Sequence, residues 1–183
     1  MLDLLAEVTQ ADIDEFRQGV EPLAGAGKLG MVLAQFPPSF KATPATSGYL
    51  DQLLRAFAGY PFAVELRHRS WVEPAHLDAT MQTLRDLSLT YTCVDEPQAG
   101  SGTLPPIAEA TNPALSVVRF HGRNAKTWWG RGEGDRYDYA YSEAELREWI
   151  EKIRQLERET GKVYLFFNNC HAGQAVKGAK MMA

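Results

Sequence analysis

Phe62-Ala63-Val64-Glu65-Leu66-Arg67-His68 is the stretch that decides how this chain folds. It begins as a strand-sized apolar run and ends in an acid, a cation and an imidazole. Four other runs share this design: Leu29–Phe36 carries Gln35, Tyr91–Glu96 ends in Asp95-Glu96, Leu115–His121 leads into Arg119-Phe120-His121-Gly122-Arg123, and Lys162–Asn169 ends in Asn168-Asn169. In sheets and barrels of parallel strands the C-terminal strand ends share one rim, where binding and catalytic groups collect. Polar clusters repeated at that position therefore read as the rim of a functional site.

Helical patterns fill the intervals. Thr9 and Asp12 stand at capping-box spacing ahead of Ile13, Phe16, Val20 and Leu23, which recur at helical intervals up to Gly25 and Gly27. Leu50, Leu53, Leu54 and Phe57 mark a second helix. Pro74 suits the first turn of a third, with Leu77, Met81, Leu84 and Leu87 as its apolar face. Residues 97–114 show no helical stripe and read as an irregular crossover. Ser142 and Glu145 form another capping box before Leu146, Trp149, Ile150, Ile153 and Leu156, and Gly161 closes that helix. A short helix of small residues covers about Gly173–Met182. Strands alternating with helices predict an α/β fold with a parallel sheet covered on both faces.

The 183 residues suit one domain with a substantial core. A formal charge of −4 supplies no global field to recruit nucleic acid. The apolar runs are too short to span a bilayer. Met1 to Leu5 lack the features of a signal peptide, and Cys93 and Cys170 are the only cysteines, so a reduced, cytoplasmic setting is expected. Gly25-Ala26-Gly27-Lys28 precedes a strand instead of following one, so it is no phosphate loop.

Side chains alternate across a strand, so Glu65 and Arg67 share a face with Ala63, and Arg119 and His121 share one with Val117. If the fully apolar faces pack on helices, these four side chains converge at the mouth. Asp95 shares its face with Cys93 and Gln35 with Leu33, but there parity does not choose the inner side, nor does it decide between Asn168 and Asn169. The bland alternative is a buried structural ion pair with a hydrogen-bonded core histidine. That alternative weakens as more charges share one rim, because each buried charge is costly unless paired.

Phe62 to Trp71, Val118-Arg119-Phe120-His121-Gly122 and Phe166-Phe167-Asn168-Asn169 resemble signature segments of the DUF72 (YecE-like) family. Gln35-Phe36-Pro37-Pro38-Ser39-Phe40, Tyr137-Asp138-Tyr139 and Gly173-Gln174-Ala175 add to the resemblance, which covers nearly the whole chain from about residue 10. It implies a TIM-barrel-like (β/α) fold and a site at the strand ends, but no settled activity. Such proteins carry about three further β/α units ahead of the first helix here, including a Gly-Thr-Ser-Gly-Trp-like strand. An incomplete barrel of about five parallel strands is therefore expected, in a truncated or mis-started gene product. The open edges at its first and last strands predict self-association.

The chemistry expected of this rim is acid–base work on a carbohydrate-like or phosphorylated small molecule, of hydrolase, lyase or isomerase type. Glu65, His121 and Asp95 are the catalytic candidates: a carboxylate kept ionised by a neighbouring cation, a proton shuttle and a further acid. Arg67, Arg119 and Arg123 are candidate anion clamps, and Gln35, Asn168 and Asn169 could bind substrate hydroxyls. A divalent metal on Glu65, Asp95 and His121 is a rival reading, against which the lack of His-x-x-x-His or Cys-x-x-Cys spacing weighs. The loop 123–141 interleaves Lys126, Trp128, Trp129, Arg131, Arg136, Tyr137, Tyr139 and Tyr141. Two functions fit it: a lid packed on the mouth, or a nucleic-acid module stacking bases on Trp128 and Trp129. Glu133, Asp135 and Asp138 dilute its charge. A non-catalytic barrel remnant is the third reading. Cys170-His171 lies in an extended segment, where neighbours point apart, so a thiol nucleophile is not expected there.

Overall fold

The computed structural model describes residues 9–57, 59–130 and 135–183. Five parallel strands stand side by side in sequence order and form half of a barrel: β1 (Val32–Gln35), β2 (Phe62–Glu65), β3 (Thr90–Asp95), β4 (Ser116–Phe120) and β5 (Val163–Phe167). The register sets Gln35 beside Glu65, Val94 beside Arg119 and Phe120 beside Phe167, so the polar ends do line one rim. Four of the strands are shorter than their apolar runs, because the polar residues that follow bond other groups instead of extending the ladder, and β3 is its run shifted back by one residue.

The helices are α1 (Gln10–Gly25), α2 (Pro44–Ala56), α3 (Leu77–Asp86), α4 (Glu143–Glu159) and α5 (Gln174–Met182). Both expected capping boxes are made: the Thr9 hydroxyl accepts from the Asp12 amide, and Ser142 from that of Glu145. A third, Thr43 with Thr46, starts α2 and lacks the Glu or Gln that makes such a box visible in sequence. Pro74 is not in the first turn of α3. It occupies a turn closed by the Leu77 amide on the Glu73 carbonyl, and α3 begins three residues later.

The helices do not cover both faces of the sheet. Leu50 and Leu54 of α2, Met81 and Leu84 of α3, and Leu146, Trp149, Ile153 and Leu156 of α4 pack with Val64, Tyr91, Cys93, Val118 and Phe120 on the outer face. The inner face holds a small separate cluster, in which buried Ala63, Leu115 and Val117 meet the partly exposed Met31, Leu33 and Tyr164. Burying the outer layer is the main apolar contribution, since each fully buried large side chain stabilises by about 1.5–3 kcal/mol. The periphery is looser. No residue of α1 is buried, and Phe16 and Leu23 of its apolar face are half exposed. Among the described residues, no helix is long and apolar enough to cross a membrane.

Among the described residues β1 pairs only with β2 and β5 only with β4, so each keeps one row of backbone donors and acceptors unpaired. Phe166 of β5 is 39% exposed beside that edge. Neither strand has an internal proline or charge to block pairing with another chain. The expected outcome is concentration-dependent association of the purified chain in sedimentation velocity. A monodisperse monomer with a sharp, reversible thermal transition would show that these edges are protected by other means.

Candidate functional site

Glu65 is the last residue of β2 and has no solvent exposure, a position a carboxylate holds only with partners for its oxygens. Oε1 accepts from Arg67 Nη1 at 3.0 Å and stands 3.1 Å from His121 Nε2, while Oε2 is bonded by Arg119 Nη1. Arg119 Nη1 also donates to Gln35 Oε1 at 2.8 Å. Four strand ends thus join one network around this carboxylate: β2 through Glu65 and Arg67 and β4 through Arg119 and His121 form the centre, β1 joins through Gln35 on Arg119, and β5 through Asn168, whose Nδ2 is 3.3 Å from His121 Nδ1. Parity placed Glu65, Arg67, Arg119 and His121 together, and the structure brings them together.

Burial by itself raises the Glu65 carboxyl, but the hydrogen bond and charge of His121 and the charges of Arg119 and Arg67 outweigh it and hold it at about 2. His121 is pulled below its ordinary value, chiefly by burial and further by the two arginines, against the opposing pull of Glu65. The imidazole is therefore neutral near pH 7. An ionised carboxylate only accepts, so Nε2 carries the ring proton toward Glu65 and Nδ1 holds the lone pair facing Asn168.

Gly122 follows His121 with φ +88°, and a Cβ there would lie 2.7 Å from the Cβ of Tyr139. Only glycine lets the chain turn here and bring the 123–141 loop back across the mouth. Trp128 is 1% exposed and lies over the Arg67 guanidinium at 5.5 Å. The Trp128 and Tyr137 rings are 6.5 and 6.4 Å from the His121 ring. Trp129 is half exposed and donates to the Ala99 carbonyl. Trp128 and Tyr137 thus cover the cluster, whereas Arg131 and Glu133 of this loop lie outside the described residues.

Three candidates do not join the cluster. Asp95 faces the helix layer, where it accepts from Arg123 through both oxygens, from Trp149 Nε1 at 2.7 Å and from the Tyr141 hydroxyl at 2.7 Å. Arg123 is committed to Asp95 and Glu148, so it does not pair with Arg119 as a clamp. Asn169 is buried and donates to the Tyr139 carbonyl, fastening the loop. With Asp95 turned away, Glu65, Asp95 and His121 do not converge on a metal, and among the described residues no three His, Cys, Asp or Glu side chains are placed to hold one.

The residue that sequence reasoning missed is Glu96. Its Oε2 lies 2.8 Å from Arg67 Nη2, and Oε1 accepts from the Leu104 amide at 2.6 Å. Burial raises its carboxyl to about 7 and the charge of Glu65 adds to this, against Arg67 and the Leu104 hydrogen bond. The available signal was the pair Asp95-Glu96 itself: in an extended segment one of two neighbouring acids must face inward.

The family model described as "Protein of unknown function DUF72" matches residues 3–183. The UPF0759 protein YunF of Bacillus subtilis is 33% identical over 174 residues, which cover 92% of this chain and 62% of that protein. A DUF72 family protein of Thermotoga maritima, known as a crystal structure, is 38% identical with a TM-score of 0.85. Another from Enterococcus faecalis is 31% identical with a TM-score of 0.90. The alignments cover 94% and 96% of this chain and 65% of each of those chains. The chain therefore spans somewhat under two thirds of the length of these relatives.

Two stability measurements check this geometry. Asp95→Ala leaves Arg123, Trp149 and Tyr141 without their acceptor and is expected to cost about 3–5 kcal/mol in denaturant unfolding. The pH dependence has three parts: His121 is depressed in the folded state, so its contribution is present above about pH 6.5 and is lost as pH falls below it. The Glu65 carboxyl is depressed in the folded state, so its contribution is present above about pH 4.5 and is lost as pH falls toward 2. The Glu96 carboxyl is raised, so its folded form is penalised as pH climbs from about 4.5 through 7. Between pH 5 and 8 the Glu96 part lowers stability as pH rises while the His121 part raises it, and Glu96→Gln should remove the falling part, so that the variant's stability climbs more steeply with pH than the wild type's. An unchanged slope in the variant would mean that Glu96 is ionised throughout.

Proposed function

This chain belongs to the DUF72 family, and we propose that its strand-end cluster is the active site of an acid–base enzyme acting on an oxygen-rich, anionic small molecule such as a phosphorylated sugar. The observation that carries this reading is the Glu65–His121 pair. A buried, ionised carboxylate fixes Nε2–H and leaves Nδ1 as a neutral base at the rim. The roles differ from a first assignment by residue type: Glu65, with all its oxygens engaged and its carboxyl near 2, orients and stabilises, whereas His121 moves the proton. A substrate hydroxyl or acidic C–H would displace the Asn168 amide from Nδ1 and pass its proton there. The imidazolium so formed would be stabilised by Glu65 at 3.1 Å.

Arg119 supports the choice of an anionic substrate. Its hydrogen bonds among the described residues both leave from Nη1, to Gln35 and Glu65, while the side chain is 12% exposed toward the mouth. Nη2 and Nε remain to take a phosphate or carboxylate in the paired geometry that a guanidinium favours. Trp128 and Tyr137 would have to lift for substrate to enter and would exclude water when closed. A nucleic-acid module draws less support, because Trp128 is buried over Arg67 and only Trp129 presents an exposed ring.

A thermal-shift screen of sugar phosphates, sugar acids and inorganic phosphate tests the reading. A ligand at about 100 times its dissociation constant adds about 2.7 kcal/mol of stability. At least one phosphorylated or carboxylated sugar is expected to raise Tm, and Arg119→Gln should abolish that rise. His121→Asn should keep binding and abolish turnover of the ligand so found. Absence of any shift across the panel, together with salt-sensitive quenching of tryptophan fluorescence by single-stranded oligonucleotides, would replace this reading with the nucleic-acid one.

A further inference from the structure

Arg67 is one guanidinium serving two buried carboxylates. Nη1 serves Glu65 and lies 3.4 Å from His121 Nε2, and Nη2 lies 2.8 Å from Glu96 Oε2. The two acids are not equivalent. Both Glu65 oxygens receive directed hydrogen bonds, whereas Glu96 Oε2 has the charge of Arg67 beside it but no donor aligned on it. Both glutamate side chains are fully buried and Arg67 is sealed above by Trp128; Glu65 has Arg119 as a second cation, whereas Glu96 has only the Arg67 it shares with Glu65. The two acids are therefore unequally partnered, and a proton held by the Glu65–Arg67–Glu96 set would reside on Glu96.

We propose that Glu96 is a positioning residue for His121, acting through Arg67: a proton on Glu96 leaves Arg67 to Glu65 alone and lowers the basicity of His121, and its loss restores it. Glu96 also borders a cavity of about 310 Å³ that is lined in addition by Gln98, Pro106, Arg123 and Glu148. The groups facing Glu96 are Glu65 at the end of β2, Arg67 just beyond it and the Leu104 amide from the crossover. Asp95, Arg123 and Glu148 share the cavity, with Arg123 bonded to both of those acids. The direction of the coupling follows from charge. Ionised Glu96 adds a negative charge near the imidazole and favours its protonated form, and neutral Glu96 withdraws that support. The burial-driven rise of the Glu96 carboxyl to about 7 puts the exchange near neutral pH.

The functional meaning rests on His121 being the base, but the coupling is measured without substrate. In a pH titration of the full chain followed by imidazole NMR, with His121 assigned by its loss in His121→Gln, two inflections are expected at His121. One lies near pH 7, where Glu96 titrates, and the other lies lower, where the imidazole itself titrates. Glu96→Gln should remove the upper inflection and leave the lower one in place, because below pH 7 Glu96 is already neutral in the wild type, and Glu96→Asp should restore the upper one. A single His121 inflection in the wild type, or an upper inflection that survives Glu96→Gln, overturns the proposal. The wild-type titration decides even if the Glu96 variants fail to fold. A failed coupling alongside anion binding that depends on Arg119 would sink this inference alone, whereas intact coupling without any such binding would sink the active-site reading alone.

Discussion

Everything at the rim depends on the desolvated carboxylate of Glu65. Removing a carboxylate from water costs several kcal/mol even after relaxation, and the structure offsets this with two guanidinium groups and an imidazole converging from three directions. That need dictates the surroundings. Arg119 must reach across from β4, Gln35 of β1 takes a second bond from the same Nη1, and His121 must present Nε2. The strand ends are therefore fastened by charge just where their backbone ladders stop. Remove the carboxylate, and two cations are left in the interior with no common partner.

How much of this could be read in advance depends on the pattern at each strand. On β2 and β4 the apolar and polar residues alternate, so the inner face of Glu65, Arg67, Arg119 and His121 follows from the sequence. β3 gives no such guidance: Thr90 to Asp95 are all buried, and the strand ends in two acids side by side. Which acid faces inward is settled by the helix layer, where Trp149 and Tyr141 supply donors that only Asp95 can reach. Those donors lie 46 and 54 residues away in the chain, beyond any local pattern. Separations of 28 and 25 residues likewise hide the fate of Arg123, whose partners come from β3 and α4. The five-stranded half-barrel itself was legible because hydrophobic runs of strand length report burial directly. That helices cover one face only was not, since an apolar strand looks the same whether its second face meets helices or the inside of a barrel.

The two loops over the mouth have different jobs. The 97–104 segment supplies a fixed amide from Leu104 to Glu96 and a carbonyl from Ala99 to Trp129. The 123–141 loop brings Trp128 and Tyr137 and is anchored at its far end, where Tyr139 receives Asn169 on its carbonyl and gives its amide to Gln174. Anchoring at both ends with aromatic side chains between them makes a cover whose seated position is set by Arg67. The cluster and its cover share that one cation, so neither is independent of the other.

The spacing of the Glu65 partners along the chain also bears on how the protein is made. Arg119 and His121 follow Glu65 by 54 and 56 residues. At a synthesis rate of about 5–20 residues per second, Glu65 leaves the ribosome roughly 3–10 seconds ahead of them. Through that interval β2 can pair with β1 and then β3, but burying its carboxylate would leave it with Arg67 alone. The nascent chain thus has reason to keep the inner face wet and the sheet edge mobile until β4 emerges. Such an interval, with an apolar edge unpaired and a charge awaiting its partners, is when a chaperone would find most to bind.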